Sequence, residues 1–347
     1  MRLGSGERWG SDYACLGTAN HRHAQWKAYW RRACRVKSAE TFLNAVVFDE
    51  RQLKRYNWHK ENVIFDVRQK LLREERLMET RIIHDLQDLT YLRWSHIRSS
   101  SGTAGTFLKS SSTLNNNKIY YKLSNFDPAV GIIGHECINE IIVDRLLTAL
   151  GIPHLHYELI HAEIEIEGRT YTTYLCASED FKQRGESKIA LDDYYRTNAF
   201  SGESHYDFCV RNGWREYIDA MIAVDFLILN RDRHGANIEV LRNARVRTLR
   251  ISPLFDHGLS LLYSCSTEEA ASKFDVLSDR PCNNFIGTYS CFGNLDLIND
   301  KKSVFPNKLT SSARNLLLDG LQGVLPDIYL NKIWDMIFGR YSIYENL

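Results

Sequence analysis

The stretch from Trp214 to Gly258 constrains this chain more than any other. Trp214, Tyr217, Ile218, Met221, Ile222, Phe226 and Leu229 recur at helical spacing, which predicts a strongly buried helix over 214–230. The helix breaks into Asn230-Arg231-Asp232-Arg233-His234-Gly235-Ala236-Asn237. Two short strands are predicted at 238–241 and 247–252, followed by Pro253-Leu254-Phe255-Asp256-His257-Gly258. Two loops thus carry Asp232, Asn237 and Asp256 in order. Carboxylate and amide oxygens are the ligands that hard divalent cations such as magnesium prefer. Phosphoryl transfer also needs a carboxylate to orient the attacking hydroxyl.

Upstream features fit the same chemistry. Residues 98–106, Arg98-Ser99-Ser100-Ser101-Gly102-Thr103-Ala104-Gly105-Thr106, are mostly small and polar. Backbone N–H groups approach phosphate closely only where side chains are small. A strand is predicted to open at Phe107-Leu108-Lys109 and another at Ile119-Tyr120-Tyr121-Lys122-Leu123, with Asn115-Asn116-Asn117 as the turn. Lys122 offers a point positive charge beyond the small-residue loop. A helix over 134–150, ended by Gly151 and Pro153, carries Glu136, Glu140 and Asp144 one above another. A solvated acidic face is the commoner outcome of that spacing. The functional alternative turns one carboxylate inward to partner Lys122.

Strands are also predicted at 154–161 and 169–176, and helices at 309–319 and 325–338. Strands precede helices and do not alternate with them, so the fold class is α+β with two lobes. Ahead of residue 93 the reading differs. Residues 1–20 are rich in Gly and Ser, and 22–40 mix Trp26, Tyr29 and Trp30 with Arg31, Arg32, Arg35 and Lys37 as a basic amphipathic helix. Ile64, Val67, Leu71, Met78, Ile82, Leu86 and Leu89 predict one apolar helical stripe over 62–90.

Composition narrows the class further. The 347 residues are 44% hydrophobic and 25% charged, as in an ordinary globular protein. A net charge of +1 supplies no global field toward nucleic acid or membrane. The eight cysteines include no C-x-x-C pair, which argues against a cysteine-rich zinc site and for free thiols in a reducing compartment. No leader-like or membrane-length apolar run is visible, and a cytoplasmic location is expected.

The loop Asn230–Asn237 resembles the N-x-D-x-H-x-x-N loop of the HipA-like serine/threonine kinases. Pro253-Leu254-Phe255-Asp256 resembles the second metal motif of that family, and Asn139-Glu140 with Leu146 and Ala149-Leu150-Gly151-Ile152 its lysine-partner helix. Ser101–Thr106 is similar to a compact nucleotide loop, and the resemblance spans roughly 93–345. It implies a two-lobed protein-kinase-like fold with a small strand-rich N-lobe at 93–180, a helical C-lobe at 181–347 and an N-terminal helical appendage at 1–92. It implies an ATP- and Mg2+-dependent serine/threonine kinase. Asp232 would be the catalytic carboxylate, and Asn237 and Asp256 the metal ligands. Ser101, Gly102, Thr103, Gly105, Thr106, Lys122 and Glu140 would form the nucleotide site, with Glu136 competing as partner of Lys122 and His234 organising the loop. The adenine-contacting hinge would lie near Leu175–Glu179. Ser99, Ser100 and Ser101 become candidate autophosphorylation sites. The implied partners are a protein substrate with a Ser or Thr acceptor and a DNA-binding antitoxin-like protein, which would give the kinase a toxin role.

Two rival readings stand beside this one. Asp232, His234, Asp256 and His257 could serve a metal-dependent hydrolase, although that leaves Lys122 and Asn237 unused. A catalytically silent kinase-fold binding protein has no need for the full Lys, Asp, Asn, Asp set. His154 and His156 share one face of a predicted strand, lack metal-ligand spacing on a helix, and are read as structural or solvent-facing.

Overall fold

Alternation builds the sheet. Ala162, Ile164 and Ile166 are buried while Glu165 between them is exposed, the period of two that a one-sided strand requires. The computed structural model describes residues 80–97, 104–114 and 117–347. Its first part comprises β1 (Ile82–Asp88), β2 (Ser95–Ile97), β3 (Ala104–Leu114), β4 (Asn117–Lys122), the short pair β5 (Phe126–Asp127) and β6 (Gly131–Ile132), α1 (Glu136–Leu150), β7 (Glu158–Ile166) and β8 (Arg169–Glu179). Six of these strands form one sheet in the order β1-β7-β8-β4-β3-β2. Only β1 runs parallel to its neighbour, β7. Leu108, Leu123, Ile160, Ile164 and Leu175 form the sheet's own apolar cluster.

The second part is mainly helical. It contains β9 (Ser187–Ala190), α2 (Leu191–Asn198), α3 (His205–Arg211), α4 (Arg215–Ile228), β10 (Asp232–Arg233), β11 (Glu239–Asn243), β12 (Thr248–Ile251), α5 (Glu268–Lys273), β13 (Asn283–Asn284), α6 (Ala313–Leu318) and α7 (Asp327–Glu345). A small sheet β12-β11-β9 flanks the loop at 232–237, and β10 pairs in parallel with β13. The larger core gathers Ile141, Leu146, Met221, Ile222, Ile333 and Ile337 from α1, α4 and α7. This is the expected α+β order, with a strand-rich sheet first and helices after.

The helix expected over 62–90 is not continuous through its described end. Ile82–Asp88 is a strand, and Leu86 is exposed. Its parallel partner β7 lies more than seventy residues away, Ile82 facing Leu159, so local periodicity could not reveal it. The sheet therefore starts before residue 93. Residues 1–79, including the basic segment 22–40, lie outside the described residues. Residues 154–157, expected to open a strand, connect α1 to β7 instead, and His154 forms an isolated parallel bridge with Leu254. Elsewhere the differences are of length: α6 is shorter than the predicted 309–319 and α7 runs on to Glu345.

Helix α1 is the central strut. It packs on β7 and β8 on one side and on α6 on another, and Gly151 ends it in the left-handed conformation that a helix C-terminus favours. Only Thr148 and Ala149 of the helix escape burial. The acidic stripe of Glu136, Glu140 and Asp144 is therefore not a solvated face. Among the described residues, no helix is long and apolar enough to cross a membrane.

Candidate active site

Lys122 ends β4, and α1 runs beneath it. The Lys122 ammonium lies 2.9 Å from Glu140 Oε1 and 2.5 Å from Asp256 Oδ1. Burial works against the Lys122 charge, but Asp256 and then Glu140 outweigh it, and its pKa stays well above the usual lysine value. Glu140 is fully buried. Besides the lysine, it accepts the backbone N–H of Gly258 at 3.1 Å and of His257 at 2.9 Å. One carboxylate thus fixes both the lysine and the turn after Asp256.

Glu136 has a different role. Its Oε2 accepts the Asn125 N–H at 3.1 Å, which ties the start of α1 to the segment after β4. Of the two candidate partners, Glu140 is the one in contact with Lys122. Asn139 completes the anchoring of the Asp256 turn, its Nδ2 donating to the carbonyls of Gly258 and Ser260, both at 3.0 Å.

Helix α4 delivers the other loop. It ends at Leu229, a buried non-glycine residue at φ 51°, and the chain reverses there into Asn230. Asp232 is half-buried, and its Oδ1 lies 3.4 Å from Asn283 Nδ2. His234 Nε2 stands 3.7 Å from Asp232 Oδ2. The buried Asn237 donates from Nδ2 to the Asp232 carbonyl at 2.9 Å, so the two predicted loop residues are directly joined. Asp256 itself sits at φ 60°, a left-handed conformation that costs a non-glycine residue about 1–3 kcal/mol. Its N–H points to the Tyr157 hydroxyl at 3.3 Å.

Sequence reasoning missed the residues that join these loops. Arg233 is 1% exposed, donates to both oxygens of Asp225, and donates from Nη1 to the Phe255 carbonyl at 2.8 Å. It therefore couples the Asp232 loop to the segment carrying Asp256. A signal existed: Asp225 is the single charged residue in the otherwise apolar run 220–229, and a buried charge requires a partner.

A cleft of about 870 Å³ opens beside this centre, lined among others by Tyr120, Lys122, Glu179, Phe181, Glu239 and Asp256. The expected hinge contributes Cys176, Ser178 and Glu179 to its wall. Phe181, beyond the predicted hinge, packs 5.5 Å from Phe255 and lies under the Lys188 ammonium. Asp232 and Asn237 are not among the residues that line this cleft, although Ala236 of the same loop is. Of the expected nucleotide loop, Ser101, Gly102 and Thr103 lie outside the described residues, as do Ser99 and Ser100, and Gly105 and Thr106 belong to β3.

The hydrolase constellation does not assemble. His257 is 2% exposed and turns inward, its Nδ1 lying 3.8 Å from Glu140 Oε2. Burial, reinforced by Arg233, holds its pKa well below the usual histidine value. His154 and His156 do not share a strand face; both converge on Asp144.

The chain is 26% identical over 211 residues to the serine/threonine-protein kinase CtkA of Helicobacter pylori, covering 58% of this chain and 63% of that relative. It thus spans less than two thirds of that relative's length. The crystal structure of the H. pylori proinflammatory kinase CtkA aligns with a TM-score of 0.54 at 16% identity, over 74% of this chain and 95% of that one. The chain has the fold of that kinase. The HipA–HipB–operator DNA complex of Shewanella oneidensis is matched over 71% of this chain and 66% of that chain, at 12% identity and a TM-score of 0.38. No family model matches the chain. Within this fold, Lys122, Glu140 and Asp256 meet at one edge of the cleft, and the Asp232 loop is clamped to the segment that carries Asp256.

Proposed function

We propose that this chain is an ATP- and Mg2+-dependent serine/threonine protein kinase of the HipA-like type. The carrying observation is the Lys122 ammonium held between Glu140 and Asp256 at the edge of the cleft. A lysine with two carboxylate partners stays charged when buried and is available to phosphate oxygens. The oxygen donors of Asp256 and Asn237 suit magnesium, which favours carboxylate and amide ligands. Bound there, the cation would neutralise charge on the nucleotide phosphates.

The chain's own residues would act by position. Lys122 holds the phosphates through charge, and Glu140 keeps it aimed. Asp232 accepts a hydrogen bond from an incoming Ser or Thr hydroxyl and takes its proton as the new O–P bond forms and the bond from the γ-phosphorus to the bridging oxygen breaks, with ADP as the leaving group. Asn237 holds the Asp232 backbone through the carbonyl contact. Phe181 and Tyr120 offer flat apolar walls for a nucleobase. Acceleration comes from orientation and fixed charges, with no covalent enzyme intermediate. We assign residues up to about 180 to the nucleotide lobe and those beyond it to the acceptor lobe. Six buried free thiols among the described residues suit a reducing, cytoplasmic setting.

The test incubates the full chain with ATP, magnesium and a generic protein acceptor, and reads phosphate incorporation by mass spectrometry. Incorporation on Ser or Thr is expected, and its loss in Asp232→Asn with the unfolding midpoint near that of the parent. Undiminished incorporation in Asp232→Asn overturns the assignment of the catalytic carboxylate. Phosphate on Ser99, Ser100 or Ser101 in the same spectrum would identify autophosphorylation.

A further inference from the structure

Helix α1 carries a third carboxylate, Asp144, that takes no part in the nucleotide site. Its Oδ1 lies 2.8 Å from His154 Nε2 and 3.0 Å from His156 Nδ1. Its Oδ2 accepts the Tyr157 N–H at 2.8 Å. The Asp144 and His154 side chains are 2% and 3% exposed, whereas that of His156 is 51% exposed and gives the group an opening to solvent. One ligand-capable atom from each of the three residues falls within 4.8 Å of the others.

Counting donors exposes a conflict. His154 Nδ1 is 2.6 Å from the Ile152 carbonyl oxygen, which can only accept, so Nδ1 carries the hydrogen. In the neutral ring, Nε2 then points a bare lone pair at a carboxylate oxygen. The Thr148 hydroxyl, 3.4 Å from that nitrogen, donates to the Asp144 carbonyl at 3.0 Å and leaves the conflict in place. A positive charge between Nε2 and Oδ1 resolves it, either a second ring proton or a metal ion. A ring whose Nδ1–H is fixed by a backbone carbonyl, with Nε2 aimed at a carboxylate, has the outer-sphere arrangement of metal-bound histidines.

We propose that Asp144, His154 and His156 form a binding site for a divalent transition-metal ion, with zinc the best-fitting member. Two imidazole nitrogens and one carboxylate oxygen favour zinc over magnesium or calcium. Three protein ligands leave a fourth position for water, on the side opened by His156. Tetrahedral ligands with bonds of about 2.0–2.1 Å sit roughly 3.3 Å apart, so the two histidine–carboxylate edges, at 2.8 and 3.0 Å, need only slight widening to take the ion. The Arg81 guanidinium opposes the ion's charge, but it faces the other oxygen, 3.8 Å from Oδ2, on a partly exposed arm.

The site has a structural consequence. Residues 152–157 connect α1 to β7, and Leu155 N–H donates to the Leu254 carbonyl at 2.8 Å. Leu254 precedes Asp256 by two residues. A metal clasp on Asp144 would fasten this connection beside the strand that leads to Asp256. Preferential binding to the folded chain raises its thermal stability by mass action.

The experiment uses the metal-stripped full chain, titrated with zinc by calorimetry and thermal shift and with cobalt(II) as a spectroscopic probe. Saturable zinc binding, a rise in melting temperature and a tetrahedral cobalt absorption band are expected. His156→Ala removes an exposed ligand and should preserve the metal-free melting temperature. It should weaken zinc binding by at least about tenfold and abolish the cobalt band. His161→Ala, outside the group, should leave both intact. Equal zinc affinity in His156→Ala and the parent chain overturns the site, because binding then lies elsewhere. Absence of both binding and thermal shift at about 100 μM zinc overturns it as well. These readouts are metal binding and do not depend on phosphotransfer.

Discussion

The Arg233 guanidinium grips the Asp225 carboxylate twice, Nε to Oδ2 at 3.0 Å and Nη2 to Oδ1 at 2.9 Å, and both side chains are almost fully buried. Asn230 Nδ2 adds a third donor to Asp225 at 2.8 Å. Burial opposes the arginine's charge, and Asp225 more than restores it. Removing one partner would strand the other in a dry interior. Asp225→Ala is therefore expected to lower stability by about 3–5 kcal/mol. Urea unfolding of the variant checks this, and a loss under about 1 kcal/mol would contradict the role given to the pair.

Lys122→Met keeps the length of the side chain and deletes its charge. Glu140 retains the two backbone donors from His257 and Gly258, so the turn should persist. Phosphate incorporation should fall by about 10²–10³-fold, and the melting temperature should fall as well because Glu140 loses its cation in a buried position. Incorporation within about threefold of the parent, at matched ATP, would place the phosphate contact elsewhere.

Gly258 is crowded. A Cβ placed there would lie 3.1 Å from Glu136 Cβ, 3.2 Å from Lys122 Nζ and 3.4 Å from Glu140 Oε1. Gly258→Ala should displace the lysine, raise the KM for ATP and destabilise by about 1–3 kcal/mol. Steady-state kinetics with urea unfolding separate the two effects; an unchanged KM would show that the lysine had not moved.

His135 supplies a pH dependence. It stands immediately before α1, is 8% exposed and packs its ring 5.2 Å from that of Tyr329. Burial pushes its pKa down to about 4. The unfolded chain takes up the proton near pH 6.5, and the folded chain resists it until about pH 4. Stability is thus fully present above about pH 6.5 and declines as pH falls toward 4, by up to roughly 3 kcal/mol from this group. Unfolding midpoints measured between pH 7 and 4.5 should fall steeply in the parent and less steeply in His135→Gln. Equal slopes would show that His135 does not carry the effect.

Local pattern was sufficient where the deciding interactions are local. The spacing of Ile218, Met221, Ile222 and Phe226 marked α4, Gly151 marked the end of α1, and the order Lys122, Glu140, Asp232, Asn237, Asp256 was visible along the chain. Residues 82–88 misled for the opposite reason. Their helical spacing is real, but a parallel strand far along the chain determines their state.

By itself the amino-acid order determined which chemical groups are present and which segments are helical or extended through neighbouring residues. Tertiary structure alone chose Glu140 over Glu136 for Lys122, buried the acidic stripe of α1, paired Arg233 with Asp225 and aimed two histidines at Asp144. Spacing along one helix fixes which residues share a face. Which of them meets a charge from a distant segment depends on how helix and sheet pack, and burial then makes each of those pairings compulsory.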